Sequence, residues 1–265
     1  MSGHTDKQVE AMLLAAGKGT RMGSDLPKVC HPVGGRPMVC AVVDACLDAG
    51  CSRIVVVVGY KQELVREALA EYGSTVEYAV QDEQLGTGHA VMCAESAYSA
   101  GPGVGGRDGL DLFVLCGDGP LIRAETLRTV LARHRGAGAA ATLATSVIED
   151  ASGYGRIVRD GRGSFVRIVE QKNASADELK IREINPSYYC FDAGAMFEAL
   201  RRVERNGLTG EYYITDVFEG LRRAGRRVEV IDAVPPEDVL SINTPEHLAE
   251  VDRIFRGRVR TGSVR

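Results

Sequence analysis

The chain has 265 residues, 45% of them apolar, and a formal charge of −4 from 32 Lys and Arg against 36 Asp and Glu. Such a length and apolar share support a sizeable packed core and exclude general disorder, while the slightly acidic balance offers no overall basic field for nucleic acid. Ile54 to Val58 is too short to span a bilayer, Met1 to Glu10 is polar, and the seven cysteines lack the spacing of a disulfide framework or a zinc site. The expectation is a cytoplasmic protein with neither membrane nor nucleic acid as partner.

Apolar runs ending in glycine turns alternate with helical periods, the pattern of a doubly wound α/β sheet whose ligand site lies at the strand carboxyl ends. Ala11 to Ala15 reads as the first strand. The string Leu14-Ala15-Ala16-Gly17-Lys18-Gly19-Thr20-Arg21-Met22, continued through Leu26-Pro27-Lys28, follows it. Its small residues let backbone N–H groups approach an anion, and Lys18, Arg21 and Lys28 add positive charge, so the loop reads as a phosphate cradle. Its spacing excludes a Walker A loop, and Met22 stands where a dinucleotide fingerprint needs its third glycine. A helix over Pro37 to Ala49, a strand over Ile54 to Val58, a more polar helix over Gln62 to Glu71 and a strand over Val76 to Val80 come next, the last delivering Gln81 at its end. A helix from Gly88 to Tyr98 leads into the glycine-rich stretch Ala100 to Gly109, which reads as a mobile surface loop. Leu112 to Leu115 is a buried strand that places Asp118 just beyond its carboxyl end.

After a helix over Glu125 to Arg135, strands are expected at Ala140 to Ser146, Arg156 to Val158, Phe165 to Glu170 and Glu183 to Phe191. Helices near Ala195 to Arg205 and Tyr213 to Ala224 precede a strand at Arg227 to Ile231. The last helix, Pro245 to Phe255, has Thr244 as its cap and Pro245 in its first turn. Arg256 to Arg265 reads as a basic tail, a solvated linker or frayed end.

The glycine turn resembles the Gly-x-Gly-Thr-x-Arg…Pro-Lys signature of nucleotidyltransferases that join a nucleoside triphosphate to a sugar 1-phosphate. Gln81-Asp82-Glu83-Gln84-Leu85-Gly86-Thr87-Gly88-His89-Ala90 is similar to the uracil-binding segment of N-acetylglucosamine-1-phosphate uridyltransferases. Further matches follow in order at Cys116-Gly117-Asp118, Gly153 to Ile157, Ile168 to Glu170, Glu183 to Asn185, Gly210 to Asp216 and Ser241 to Asn243, so the resemblance covers Ala11 to about Asp252.

The resemblance implies a Rossmann-like, mostly parallel sheet with a smaller mixed β region for the sugar, as one nucleotidyltransferase domain over residues 8–255. Its substrates would be UTP and a sugar 1-phosphate, and its cofactor Mg²⁺, held by Asp118 and Asn243. Taken alone, Asp118 reads as often as a turn or helix-cap residue, and Asn243, before Thr244-Pro245, more often as a local turn residue. Arg21 would face the departing phosphates, and Lys28 the α-phosphate. Leu14, Ala15, Ala16 and Gly17, with Gln81, Gly86 and Thr87, would hold uracil and ribose; Gly117, Gly155, Glu170 and Asn185 would meet the sugar. Lys18 is either a phosphate contact or a solvated cation, and Thr215 either a phosphate contact or an ordinary helix residue.

Cys116, Gly119, Pro186 and Ser187 depart from the family pattern near the sugar or metal, which bears on the sugar's identity more than on the reaction. With thirteen residues after Asp252, the β-helix acetyltransferase domain of many relatives is not expected in this chain. A monomer or weak homodimer is therefore expected.

Overall fold

The computed structural model describes residues 7–98 and 109–260. Of the stretch expected to form a mobile loop, all but Gly109 lies outside the described residues. Strand β1 (Gln8–Leu14) leads through the glycine turn to a tight hairpin of β2 (Pro32–Val33) and β3 (Arg36–Pro37), then α1 (Met38–Asp48), β4 (Ile54–Val58), α2 (Gln62–Ala68), β5 (Val76–Val80) and α3 (Thr87–Cys93). The chain continues through β6 (Leu110–Cys116), α4 (Ala124–Ala137), β7 (Ala141–Val147), β8 (Gly155–Arg159), β9 (Phe165–Val169) and β10 (Glu183–Asp192). It closes with α5 (Ala193–Leu200), α6 (Asp216–Arg223), β11 (Val228–Asp232) and α7 (Pro245–Arg260).

The main sheet runs in the order β11-β7-β10-β6-β1-β4-β5. Strand β1 pairs in parallel with β4 on one side and β6 on the other, β4 pairs in parallel with β5, and β11 with β7. Strand β10 is antiparallel to both β6 and β7, and the β8–β9 hairpin attaches to its first residues. This is the expected mostly parallel doubly wound sheet with a smaller mixed region. Because the chain leaves β1 toward β4 and returns on its other side as β6, a crevice opens beyond the carboxyl ends of β1 and β6.

Period-2 alternation puts two different cores on the two faces. Ala11, Leu13, Phe113 and Leu115 pack with Val39, Val42 and Val43 of α1 and Leu127 and Val130 of α4. Met12, Leu112 and Val114 pack instead with Val91 of α3, Met196 and Phe197 of α5, and Val217 and Phe218 of α6. The fully buried Phe218 ring meets Tyr189 and Phe191 at centroid distances of 5.0 and 4.9 Å, which fastens α6 to β10.

Several helix boundaries differ from expectation. The segment expected as one helix to Glu71 ends at Ala68 and passes into a 3₁₀ turn over Ala70–Thr75, where Gly73 takes φ +56°. Similarly, α3 stops at Cys93 and a separate 3₁₀ turn covers Glu95–Tyr98. Helix α5 starts at Ala193 because the Asp192 carboxylate accepts from Ala195 N at 3.0 Å, and it ends at Leu200. Helix α6 begins only at Asp216, since Ile214 N donates to Thr87 Oγ1 at 3.2 Å rather than into a helix. Thr244 does cap α7, accepting from His247 N at 3.3 Å.

That last helix runs to Arg260, so the first five residues of the expected tail continue the helix, four of them exposed and Arg258 turned inward. Arg258 is 11% exposed, pairs with the buried Asp238 carboxylate and donates to Leu121 O at 2.9 Å. The short β2–β3 hairpin, turning on Gly34 (φ +64°) and Gly35 (φ +93°), was not foreseen. No described helix is long and apolar enough to cross a membrane.

Candidate active site

Glycine geometry builds the phosphate end of the crevice. The Gly117 N–H donates to Leu14 O at 3.0 Å, tying the ends of β1 and β6 together. Gly19 takes φ +67°, and a Cβ there would stand 2.6 Å from Lys28 Cβ, so only glycine lets the turn lie against the Pro27-Lys28 segment. A 3₁₀ turn over Thr20–Met22 follows, anchored by Met22, which packs with Val33, Met38, Leu121 and Ile242. Its neighbour Arg21 is thereby held facing the crevice. A second 3₁₀ turn, Lys28–Cys30, buries Val29 and Cys30 and leaves Lys28 pointing the same way.

Four residues meet there. Lys28 Nζ forms an ion pair with Asp118 Oδ2 and donates to Asn243 Oδ1 at 2.8 Å. Arg21 Nη2 donates to the same Asn243 oxygen at 2.9 Å. Asn243 is steadied by its own Nδ2 donating to Ser241 Oγ at 3.2 Å, and the Ile242 N–H donates to Asp118 O at 3.2 Å. Lys18 is elsewhere: its ammonium lies over the Tyr60 ring, 5.1 Å from the centroid.

From this cluster a cleft of about 340 Å³ runs toward β8–β10, within the usual size range of small-molecule sites. Of the expected nucleotide and sugar contacts, Leu14, Thr87, Gly155, Glu170 and Asn185 line it. Gln81 does not reach its wall. It is 4% exposed, and its amide nitrogen donates to Gly86 O at 3.1 Å and sits 3.1 Å from His89 Nδ1, so it shapes the loop from Gln81 to Gly88. Gly86, likewise off the wall, takes φ +99° beneath the Glu211-Tyr212 backbone. Tyr212 N donates to Leu85 O, and Gly88 N to Tyr212 O, both at 2.8 Å, which joins the two sides of the cleft.

At the far end, Glu170 accepts from Thr215 Oγ1 at 3.0 Å, which occupies the hydroxyl otherwise read as a phosphate contact. Burial pushes the Glu170 carboxyl above the usual carboxylate range, partly opposed by the Thr215 hydroxyl. Gly155 pairs with Asn185 across β8 and β10, and a Cβ on it would press Ile168 Cγ2 at 3.1 Å. Ser241, Tyr189 and Ser187 were not singled out as contacts, although all three line the cleft. Burial with the nearby Asp118 charge pushes the Cys116 thiol up to about 12. Among the described residues no group of three or more His, Cys, Asp and Glu side chains could hold a metal ion. A larger groove of about 640 Å³ between α5 and α6 shares no residue with this cleft.

The family model for MobA-like NTP transferase domains matches residues 11–221. The chain belongs to that family. It is 48% identical to the bifunctional protein GlmU of Pelotomaculum thermopropionicum over 94% of this chain and 52% of that protein. It is 45% identical to GlmU of Brevibacillus brevis over 97% of this chain and 54% of the relative. The chain thus spans about half the length of the curated relatives it matches. Among solved structures, an apo UDP-glucose pyrophosphorylase superposes with a TM-score of 0.73 at 18% identity, covering 95% of this chain and all of that one. A putative glucose-1-phosphate thymidylyltransferase from Bacillus anthracis does so with a TM-score of 0.75 at 21% identity, covering 94% and 95%. At those identities the likeness is one of fold.

Proposed function

We propose that the chain transfers UMP from UTP to N-acetylglucosamine 1-phosphate, releasing pyrophosphate, with Mg²⁺ as cofactor. One observation carries the reading: Arg21, Lys28, Asp118 and Asn243, spread over 222 residues of sequence, meet at the mouth of a cleft that Glu170 and Asn185 also line. The donor set fits a hard cation, because Asp118 Oδ2 and Asn243 Oδ1 already converge on one positive group, the Lys28 ammonium. Asp118 and Asn243 would hold Mg²⁺, which supplies charge neutralisation to the substrate phosphates.

A sugar 1-phosphate is an anion at neutral pH, so its oxygen needs no general base to attack the α-phosphorus. The barrier is approach of two anions in line, and positioning with fixed positive charge lowers it. Arg21 faces the leaving pyrophosphate and Lys28 the α-phosphate, while the backbone turn from Leu14 to Gly17 with Thr87 seats the nucleoside. Gln81 and Gly86 act by holding the loop that carries Thr87. Gly155 gives the sugar close backbone approach, Gly117, off the wall, acts by holding the ends of β1 and β6 together, and Glu170 and Asn185 bond the sugar's polar groups.

A matrix of nucleoside triphosphates against sugar 1-phosphates, read by pyrophosphate release, tests this. UTP with N-acetylglucosamine 1-phosphate should give the highest kcat/KM. One observation favours a second reading, the same transfer with glucose 1-phosphate or dTTP: the departures Cys116, Pro186 and Ser187 all line the cleft. Faster turnover with either substrate would select it. Release from no pair would overturn catalysis and leave a sugar-nucleotide-binding subunit.

A further inference from the structure

Strand β10 breaks register between Ile184 and Tyr188, and inside that bulge Ser187 takes φ +67°, a left-handed conformation that disfavours any side chain. Lys61 is the other non-glycine residue described with positive φ, and it does not line the cleft; Ser187 does. Strain of this kind persists where the surroundings over-determine it, and here they do. The Ser187 N–H donates to Asn185 Oδ1 at 3.1 Å, Asn185 Nδ2 donates to Tyr189 OH at 2.7 Å, and Tyr189 OH donates to Ser187 Oγ at 3.3 Å. With the Tyr189 O–H directed at Ser187 Oγ, the outward donors of this relay are the second N–H of the Asn185 amide and the Ser187 O–H. Beside it stands the Cys116 thiol, whose sulfur is a weak acceptor.

We propose that Ser187 is a specificity-determining residue of the acceptor end, its O–H donating to an uncharged oxygen of the sugar, either a ring hydroxyl or an amide carbonyl. This rests on the acceptor assignment made above. The Glu170 carboxylate, whose charge bears on both Cys116 and Tyr189 on either side of Ser187, argues against the sugar's phosphate as partner, since a second anion there would be repelled. A sugar oxygen competes easily with the sulfur, so the hydrogen bond forms on binding.

Ser187→Ala removes the hydroxyl and keeps the strained backbone, whereas Ser187→Gly removes both. Calorimetric titration of each protein with N-acetylglucosamine 1-phosphate and glucose 1-phosphate is the readout, with KM for UTP and thermal midpoints measured alongside. Both variants should bind the preferred sugar phosphate roughly 3- to 10-fold more weakly, the loss of one neutral hydrogen bond. KM for UTP should stay within about twofold, and Ser187→Gly should melt higher than wild type. Loss confined to N-acetylglucosamine 1-phosphate places the bond on the amide carbonyl; equal loss for both sugars places it on a ring hydroxyl. Unchanged or tighter binding by Ser187→Gly overturns the proposal, as does a wild-type protein that binds neither sugar phosphate. A wild type that binds them yet releases no pyrophosphate sinks the transferase reading alone, because the binding ratios still decide Ser187.

Discussion

Replacing Gly86 by alanine tests the idea that the loop from Gln81 to Gly88 acts by docking onto the far side of the cleft. Gly86 combines φ +99° with ψ 177°, a region that glycine alone occupies freely. Forcing an L side chain to hold it costs roughly 1–3 kcal/mol. The new Cβ would also stand 2.5 Å from Tyr212 O and 2.9 Å from Glu211 Cβ, so the Tyr212 backbone must move. Its bonds to Leu85 O and from Gly88 N, both 2.8 Å, are then lost or stretched, at about 0.5–1.5 kcal/mol each. The expected destabilisation is therefore roughly 2–6 kcal/mol, a large part of the stability of an ordinary domain. Urea unfolding gives the comparison, with Gly220→Ala as control. Gly220 lies in α6 with open space around it, and alanine there should stabilise by about 0.5–1 kcal/mol. KM for UTP should rise in Gly86→Ala, because Thr87 is carried by the displaced loop. A Gly86→Ala protein with wild-type stability and wild-type KM would refute the docking argument.

Lys28→Ala should lower kcat roughly 10²- to 10³-fold, by analogy with the loss of one preorganised donor, and Asp118→Asn should abolish Mg²⁺-supported turnover while moving the unfolding midpoint little. Near-wild-type kcat in Lys28→Ala would remove that residue from the mechanism. Because Glu170 is raised by burial, the folded protein binds its proton more tightly than the unfolded chain, so its contribution to stability falls as pH rises from the ordinary glutamate value through the raised one. Glu170→Gln should flatten that slope and raise the thermal midpoint at pH 7 while weakening sugar binding; a lower midpoint at pH 7 would contradict it. Because burial and the nearby Asp118 charge push its thiol up, Cys116 should alkylate more slowly than a free cysteine at pH 8, and labelling at the free rate in a mass-spectrometric time course would disprove the burial argument.

Strands β4 and β5 were readable from sequence to the residue, β4 as a fully buried apolar run closed by a turn and β5 as a mixed, partly exposed run that pairs with it at the sheet edge. Helix ends were less so, since Asp192 capping, Thr87 bonding to Ile214 and the 3₁₀ turns after α2 and α3 are decided by tertiary contacts. The small-residue turn and its cations announce an anion site locally. That Arg21 and Lys28 share one oxygen of Asn243 depends on how the last strand-to-helix connection is laid across the crevice.

Two further features show why residue types alone were insufficient. Gln81 is an amide of the right kind for a nucleobase edge, yet its position inside the loop commits its nitrogen to Gly86 and His89. Arg258 sits in what reads as a solvated basic tail, yet four turns of α7 carry it back over Asp238, a carboxylate only 1% exposed that Arg123 also holds. A buried charge left with fewer partners is costly, so this pairing draws α7 onto the segment Asp238 to Asn243. The same helix takes Gly34 N onto Asp252 Oδ1 at 2.7 Å and packs Val251 with Met22 and Ile242. Arg21, carried by the turn that Met22 anchors, and Asn243, next to Ile242, are thus set against each other by a single helix. The geometry of the phosphate end depends on residues more than two hundred positions beyond the motif that first announces it.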